Sequence, residues 1–295
     1  MTEKPRIGFI GLGLMGSAMV QRLIDLDYPM TVVANRSRAN VDAAVARGAS
    51  EVATAREVAM ASDIVMMCMD TSVSVEARMF GDDGVIAGLK GGELVIDFGT
   101  SLPGSTLKIA TEVRAKGASY MDSPLGRTPS HGREGKLNIM AAGESADFAR
   151  AKPVLDDLGE NVFHVGPLGA GHTLKLINNF FAMTTACAMS EAFAMADHAG
   201  LDRQMLYDVM AAGPLRSGMM DFVKAQAIDH EIMLAFSVTN AGKDVGYYAQ
   251  MTKEMGKQSL MSPGTLKALD TAKSDGWGDR MVPEMVDYFE SRFKD

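Results

Sequence analysis

Cysteine is scarce in this chain: Cys68 and Cys187 are the only two in 295 residues. They stand far apart and belong to no CxxC pair, so they read as buried thiols rather than as a disulfide framework, which suits a reducing, cytoplasmic setting. The five histidines lack metal-ligand spacing, so no metal is expected. No uninterrupted apolar run approaches the roughly 18 residues of a membrane span. The opening Met1-Thr-Glu-Lys-Pro5 has no charged-then-apolar leader, so neither secretion nor a membrane partner is expected. Positive charge is also short, with a net charge of -8, which argues against a nucleic-acid surface. Any anionic substrate must therefore be held by a few local cations. Tandem repeats and low-complexity tails are missing too.

What is present is ordinary globular material, 47% hydrophobic and 22% charged, in a chain long enough for two cores. The 24 methionines are spread over both halves and read as core filler. The first half alternates strand and helix. Strands are predicted at 7–10, 30–34, 64–69, 94–98, 119–121, 137–142 and 161–165, with helical stretches between most of them. That order predicts an α/β, doubly wound, largely parallel sheet over residues 1–165. From Thr173 onward apolar residues recur at helical spacing (173–198, 203–212, 218–226, 240–255, 265–275, 283–293), so residues 166–295 are expected to be all-α.

The run Arg6-Ile-Gly-Phe-Ile-Gly-Leu-Gly-Leu-Met-Gly16 reads as a short strand turning through Gly11, Gly13 and Gly16 into a helix. Gly11 permits the turn and Gly13 lets backbone approach a pyrophosphate. Gly16 lets helix and strand pack closely, and the first helical residues, Leu14 and Met15, offer free N–H groups and the positive dipole end. A glycine turn without ligand is the bland alternative. A second strand follows, and just past it stands Asn35-Arg36-Ser37-Arg38, with no carboxylate where an NAD ribose would be read. Arg36 can pair with a 2′-phosphate while Asn35 and Ser37 add hydrogen bonds, so NADP is favoured and NAD stays possible. The competing reading of Arg36 and Arg38 is a solvated helix start.

In Gly171-His-Thr-Leu-Lys175-Leu-Ile-Asn-Asn179-Phe-Phe181, Lys175 and Asn179 are spaced i,i+4 and share a helix face among apolar neighbours. An ammonium there is either a snorkelling or structural lysine, or a proton donor and acceptor whose pKa desolvation brings toward working pH.

Taken together, Gly8–Gly16, Asp122-Ser-Pro-Leu-Gly-Arg-Thr128, Gly135–Gly143, Lys175–Asn179 and Lys243-Asp244 resemble, in order and over essentially the whole chain, the β-hydroxyacid dehydrogenase family. The family includes 3-hydroxyisobutyrate dehydrogenase, tartronate semialdehyde reductase and, more distantly, 6-phosphogluconate dehydrogenase. The resemblance implies a Rossmann domain followed by an all-α domain, an active site between them, and homodimers or homotetramers joined through the helical domains. It makes Lys175 the general acid/base, Asn179 the substrate-positioning residue, and Lys243 a contact to both nicotinamide and substrate. Thr100 would touch the cofactor, and Met69-Asp70 would cover it. Asp70 and Asp97 are equally plain strand-end turn residues.

Where the family usually has Asp-Ala-Pro-Val-Ser-Gly-Gly, this chain has Asp122-Ser123-Pro-Leu-Gly126-Arg127-Thr128. Ser123, Gly126, Arg127 and Thr128 are therefore the expected substrate loop, and its Gly-Arg-Thr resembles the 3-sulfolactaldehyde reductase branch. A guanidinium, a hydroxyl and a backbone N–H suit a tetrahedral anion. The alternative for Arg127 is a local ion pair, for instance with Glu134. The whole reads as an NADP-preferring oxidoreductase for a short anionic aldehyde, 3-sulfolactaldehyde or succinic semialdehyde. The alternatives are a 3-hydroxyisobutyrate or tartronate semialdehyde enzyme, an imine reductase, and a dinucleotide-binding protein without turnover. Lys175 weighs against the last two.

Overall fold

A computed structural model describes residues 4–35 and 38–294. It divides into two compact units, Met1–Lys175 and Leu176–Asp295.

The first unit runs β1 (Ile7–Ile10), α1 (Leu14–Asp25), β2 (Met30–Val33), α2 (Arg38–Ala46), β3 (Ser50–Val52), α3 (Ala55–Met60), β4 (Ile64–Met67), α4 (Ser72–Met79), α5 (Val85–Gly88), β5 (Leu94–Asp97), α6 (Pro103–Ala115), β6 (Ser119–Asp122), β7 (Leu125–Gly126), α7 (Pro129–Glu134), β8 (Leu137–Ala142), α8 (Ser145–Leu158) and β9 (Gly159–Gly166). Among the described residues the strands form one sheet in the order β3-β2-β1-β4-β5-β6-β8, with β1 through β6 parallel. The apolar runs form buried strands because both faces are covered. Alternate residues of β4 show it: Ile64 and Met66 pack with Met19 and Leu23 of α1, while Val65 and Met67 pack with Val58, Val75 and Val113 of α3, α4 and α6.

The last strands depart from the parallel pattern. β6 and β7 both run antiparallel to β8, in one unbroken register from Asp122↔Ala142 to Gly126↔Asn138, and β9 runs parallel to the other edge of β8. Asp122 to Gly126 thus follows β8 as paired strand, interrupted at Ser123-Pro124, and is not a free loop.

α9 (Ala170–His198) begins in the first unit, and its later turns belong to the second. The second unit continues with α10 (Arg203–Ala211), α11 (Gly218–Asp229), α12 (Val238–Glu254), α13 (Ser262–Ala272) and α14 (Met285–Lys294). Its core is built from Met183, Met189 and Phe193 of α9 with Val223, Val245, Leu269 and Val286. No described helix is long and apolar enough to cross a membrane.

Candidate active site

Parallel order reverses between β1 and β4, and the carboxyl ends of these strands are where an open α/β sheet binds ligand. The β1–α1 turn fits a dinucleotide. Gly11 has φ +95°, and a Cβ there would meet the Cys68 carbonyl oxygen at 2.4 Å and Met69 Sδ at 2.8 Å; one at Gly16 would meet the Gly11 carbonyl oxygen at 2.0 Å. Both glycines are required by packing alone. Gly13 differs, because among the described residues nothing lies within 4 Å of a Cβ built on it, and as the N-cap of α1 it supplies no side-chain cap. The first turn, with Leu14 exposed and Met15 partly buried, has no acidic residue, so its N–H groups are left for an anion. Gly11, Gly13, Leu14, Met15 and Gly16 would hold a pyrophosphate there.

At the end of β2, Asn35 is exposed and its Oδ1 accepts from Nη2 of Arg78, on α4, at 2.7 Å. Arg36 and Ser37 lie outside the described residues. Arg38 is engaged with Glu51 at 2.6 Å and Asp42 at 2.5 Å. After β4, Met69 abuts both Gly11 and Gly99, and Asp70 accepts from Ser74 Oγ at 2.6 Å in the first turn of α4, the helix-start role open to it from sequence. After β5, buried Asp97 accepts from Gly99 N at 2.8 Å and Ser101 Oγ at 3.0 Å, which shapes the turn carrying Thr100.

In the expected substrate loop, Ser123 is wholly buried and its hydroxyl has no hydrogen-bond partner among the described residues. A Cβ at Gly126 would approach Asn138 Cβ to 3.3 Å. Arg127 leaves the sheet with φ +75°, in the left-handed region that favours glycine. Its Nη1 donates to the Lys136 carbonyl at 2.6 Å and pairs with Glu160 at 2.5 Å. The local carboxylate is thus Glu160, brought across by the β8–β9 pairing, whereas Glu134 pairs with Lys136 at 2.7 Å. Thr128 caps α7 without a side-chain cap bond, and its hydroxyl meets Ser130 Oγ at 2.8 Å and His131 Nδ1 at 2.7 Å.

Lys175 is half-buried on α9. The apolar neighbours around it are divided between core and surface. His172, Leu176, Asn179 and Met183 form the buried stripe, whereas Leu174, Ile177 and Phe181 are exposed. In the second unit, Asn179 Nδ2 donates to Oδ2 of the buried Asp244 at 2.6 Å, and Asp244 Oδ1 pairs with Lys243 Nζ at 2.8 Å. One carboxylate therefore orients both polar side chains. Phe180 stacks on Tyr248, with ring centroids 4.0 Å apart.

Sequence reasoning missed Arg78, Asp122, Glu160 and the orienting role of Asp244. Only Asp122 and Asp244 carried a local signal, each a charged residue inside a motif; Arg78 and Glu160 reach their partners through strand order.

Two family descriptions match almost end to end. "NAD binding domain of 6-phosphogluconate dehydrogenase" covers residues 6–166, and "NAD-binding of NADP-dependent 3-hydroxyisobutyrate dehydrogenase" covers 169–289. The chain belongs to the β-hydroxyacid dehydrogenase family. It is 30% identical over 292 residues, 98% of this chain and 96% of the relative, to 2-(hydroxymethyl)glutarate dehydrogenase of Eubacterium barkeri. It is 31% identical over 250 residues, 85% of each chain, to 2-hydroxy-3-oxopropionate reductase of Escherichia coli. The crystal structure of 3-hydroxyisobutyrate dehydrogenase from Salmonella typhimurium superposes with a TM-score of 0.84 at 26% identity, covering 96% of this chain and 99% of that one. The chain is thus a nicotinamide-dinucleotide-dependent oxidoreductase acting on CH–OH groups, with a Rossmann unit and a helical unit.

Proposed function

We propose that this family member is an NADP-preferring reductase of short aldehydes bearing an anionic tail, 3-sulfolactaldehyde or succinic semialdehyde, working in the cytoplasm as a homodimer or homotetramer. The reading is carried by Asn179 and Lys243, both held by the buried Asp244, with Lys175 one helical turn before Asn179. Bound nicotinamide supplies the hydride. Lys175 gives a proton to the carbonyl oxygen in reduction and takes it from the hydroxyl in oxidation. Asn179 and Lys243, fixed before substrate arrives, orient the substrate without paying that ordering cost on binding.

The anion is assigned to the Gly126-Arg127-Thr128 turn. It must compete with Glu160 for the Arg127 guanidinium, but an ion pair with an exposed partner is worth only about 0–1 kcal/mol, so exchange is cheap. Ser123, being buried, takes a supporting place beneath this turn. Preference for NADP rests on Asn35-Arg36-Ser37 and gains from Arg78, a second guanidinium beside Asn35. Tartronate semialdehyde and 3-hydroxyisobutyrate chemistry is the second reading, favoured by the relatives' names.

The test is oxidation of NADPH and NADH with aldehydes of similar size carrying sulfonate, carboxylate or no charge. Faster turnover of the charged aldehydes with NADPH is expected. Preference for the uncharged aldehyde sinks the substrate assignment, and no turnover of any member leaves a binding protein.

A further inference from the structure

Beneath the ends of β5 and β6 lies a buried polar cluster that none of these roles uses. His172, in the first turn of α9, is fully buried with Nδ1 2.7 Å from Oγ1 of Thr106 on α6. Its Nε2 has no hydrogen-bond partner among the described residues and lies 3.6 Å from Oδ2 of Asp97, while Nδ1 lies 3.8 Å from Oδ2 of Asp122. Both carboxylates are already committed. Asp97 shapes the turn that carries Thr100. Asp122 accepts the backbone N–H groups of Gly169, at 2.8 Å, and His172, at 2.7 Å, and so caps α9 from outside. Gly171 completes the fit, since a Cβ there would meet the Met140 carbonyl oxygen at 2.5 Å.

The proton position on the imidazole follows from its neighbours. The Thr106 hydroxyl also reaches the Leu102 carbonyl, at 3.2 Å; when it turns its one proton to the closer Nδ1 instead, Nε2 carries the imidazole proton and directs it toward the Asp97 carboxylate. The reverse tautomer sets a bare Nε2 lone pair against that carboxylate with no donor between them.

We propose that His172 is a positioning residue for proton transfer: backed by Thr106, its imidazole fixes the Thr100 turn and the Lys175 turn of α9 relative to each other through Asp97 and Asp122. This rests on the reading of Lys175 as the acid/base. His172 touches neither substrate nor cofactor. Its effect is on where Lys175 Nζ stands when the carbonyl oxygen needs a proton, and sub-ångström misplacement of such a group is costly.

The experiment uses the full-length protein as His172→Phe, which keeps the ring volume without polar atoms, His172→Gln, which returns an N–H donor near the Nε2 position, and Thr106→Val. For His172→Phe, kcat is expected to fall about tenfold to a hundredfold, with KM for the aldehyde and Kd for NADPH within about threefold of wild type. Amide hydrogen exchange in residues 169–178 should quicken about tenfold, a readout independent of turnover. His172→Gln should recover most of the lost kcat. A folded His172→Phe protein with wild-type kcat overturns the proposal, because the imidazole then only fills space. Parallel losses in kcat, cofactor binding and Tm, unrelieved by glutamine, overturn it as well. Should His172→Phe fail to fold, Thr106→Val decides by the same readouts, and unchanged kcat and exchange overturn the proposal. A wild-type protein that turns over no aldehyde or hydroxy acid sinks the reading of Lys175 and this proposal with it, whereas failure of the proposal alone is seen only in the variants.

Discussion

At the scale of single residues, the sharpest expectation concerns Lys175. Lys175→Ala should lower kcat by about 10² to 10⁴ while NADPH still binds, the usual worth of a positioned proton donor. Retention of more than about a tenth of wild-type kcat, with chemistry rate-limiting, ends its catalytic role. Arg127 offers a finer test because its backbone is left-handed. Arg127→Gly relieves that strain, so stability should hold or rise. Meanwhile kcat/KM for an anionic aldehyde should fall about tenfold to a hundredfold and that for an uncharged one should not move. Glu160→Gln, which releases the guanidinium, should raise kcat/KM for the anionic aldehyde. If both aldehydes respond alike, Arg127 and Glu160 form a structural pair and the anion is held elsewhere. The residue types at 122–128, 175, 179 and 243 were legible because each sits in a motif. Their partners were not: Glu160 meets Arg127 only because β9 pairs with β8, and Arg78 meets Asn35 only because α4 follows a strand two places along the sheet.

At the scale of elements, β1, β2, β4, β5, β6, β8 and β9 all fall where strands were read, and the plainest of them, β1 and β4, are buried at every position, as expected of mainly apolar runs covered on both faces. β3, Ser50-Glu-Val52, is an exposed edge of three residues without that signal, and β7 is two residues long. The antiparallel β6–β7–β8 ladder was hidden for another reason: Pro124 and Gly126 look like a loop, yet Pro124 still accepts from Met140 N at 3.0 Å. The β1–α1 turn allows cofactor binding to be separated from folding. Gly16→Ala puts a methyl group 2.0 Å from a backbone oxygen and should cost about 1–3 kcal/mol or more of stability. Gly13→Ala meets nothing among the described residues, so its thermal midpoint should drop by no more than about 2–4 °C. NADPH affinity should nonetheless weaken at least about tenfold, because only a bound pyrophosphate needs that space. Equal NADPH affinity in wild type and Gly13→Ala, measured by fluorescence titration, would remove the pyrophosphate from this turn.

For the whole molecule, the groups with displaced proton affinities set how stability follows pH. Half-buried Asp63, held low by hydrogen bonds from Arg6, and Glu76, held low by Lys108 and then Ser105, add stability above the ordinary carboxylate range and lose it as pH falls through their depressed values. Each is worth no more than about 1 kcal/mol, since the pairs face solvent. The alkaline side is steeper. Burial pushes the Cys187 thiol up to about 12, burial and then the Asp97 charge push Cys68 up to about 12, and burial followed by the bond to Asp157 raises the Tyr28 phenol. These groups bind their protons more tightly folded than unfolded, so their contribution is complete below the unfolded pKa, near 9 for a thiol, and drains away as pH rises toward the folded value. Each thiol can therefore remove at most about 1.4 kcal/mol per pH unit above 9. Urea midpoints should be flat from about pH 6 to 8 and fall between about 9 and 10.5. A Cys68→Ala/Cys187→Ala protein should start lower, through lost packing, but fall less over the same interval. Identical alkaline slopes in the two proteins would mean that the thiols ionise as readily folded as unfolded, and rapid reaction of the native protein with a thiol reagent at pH 8 would point the same way.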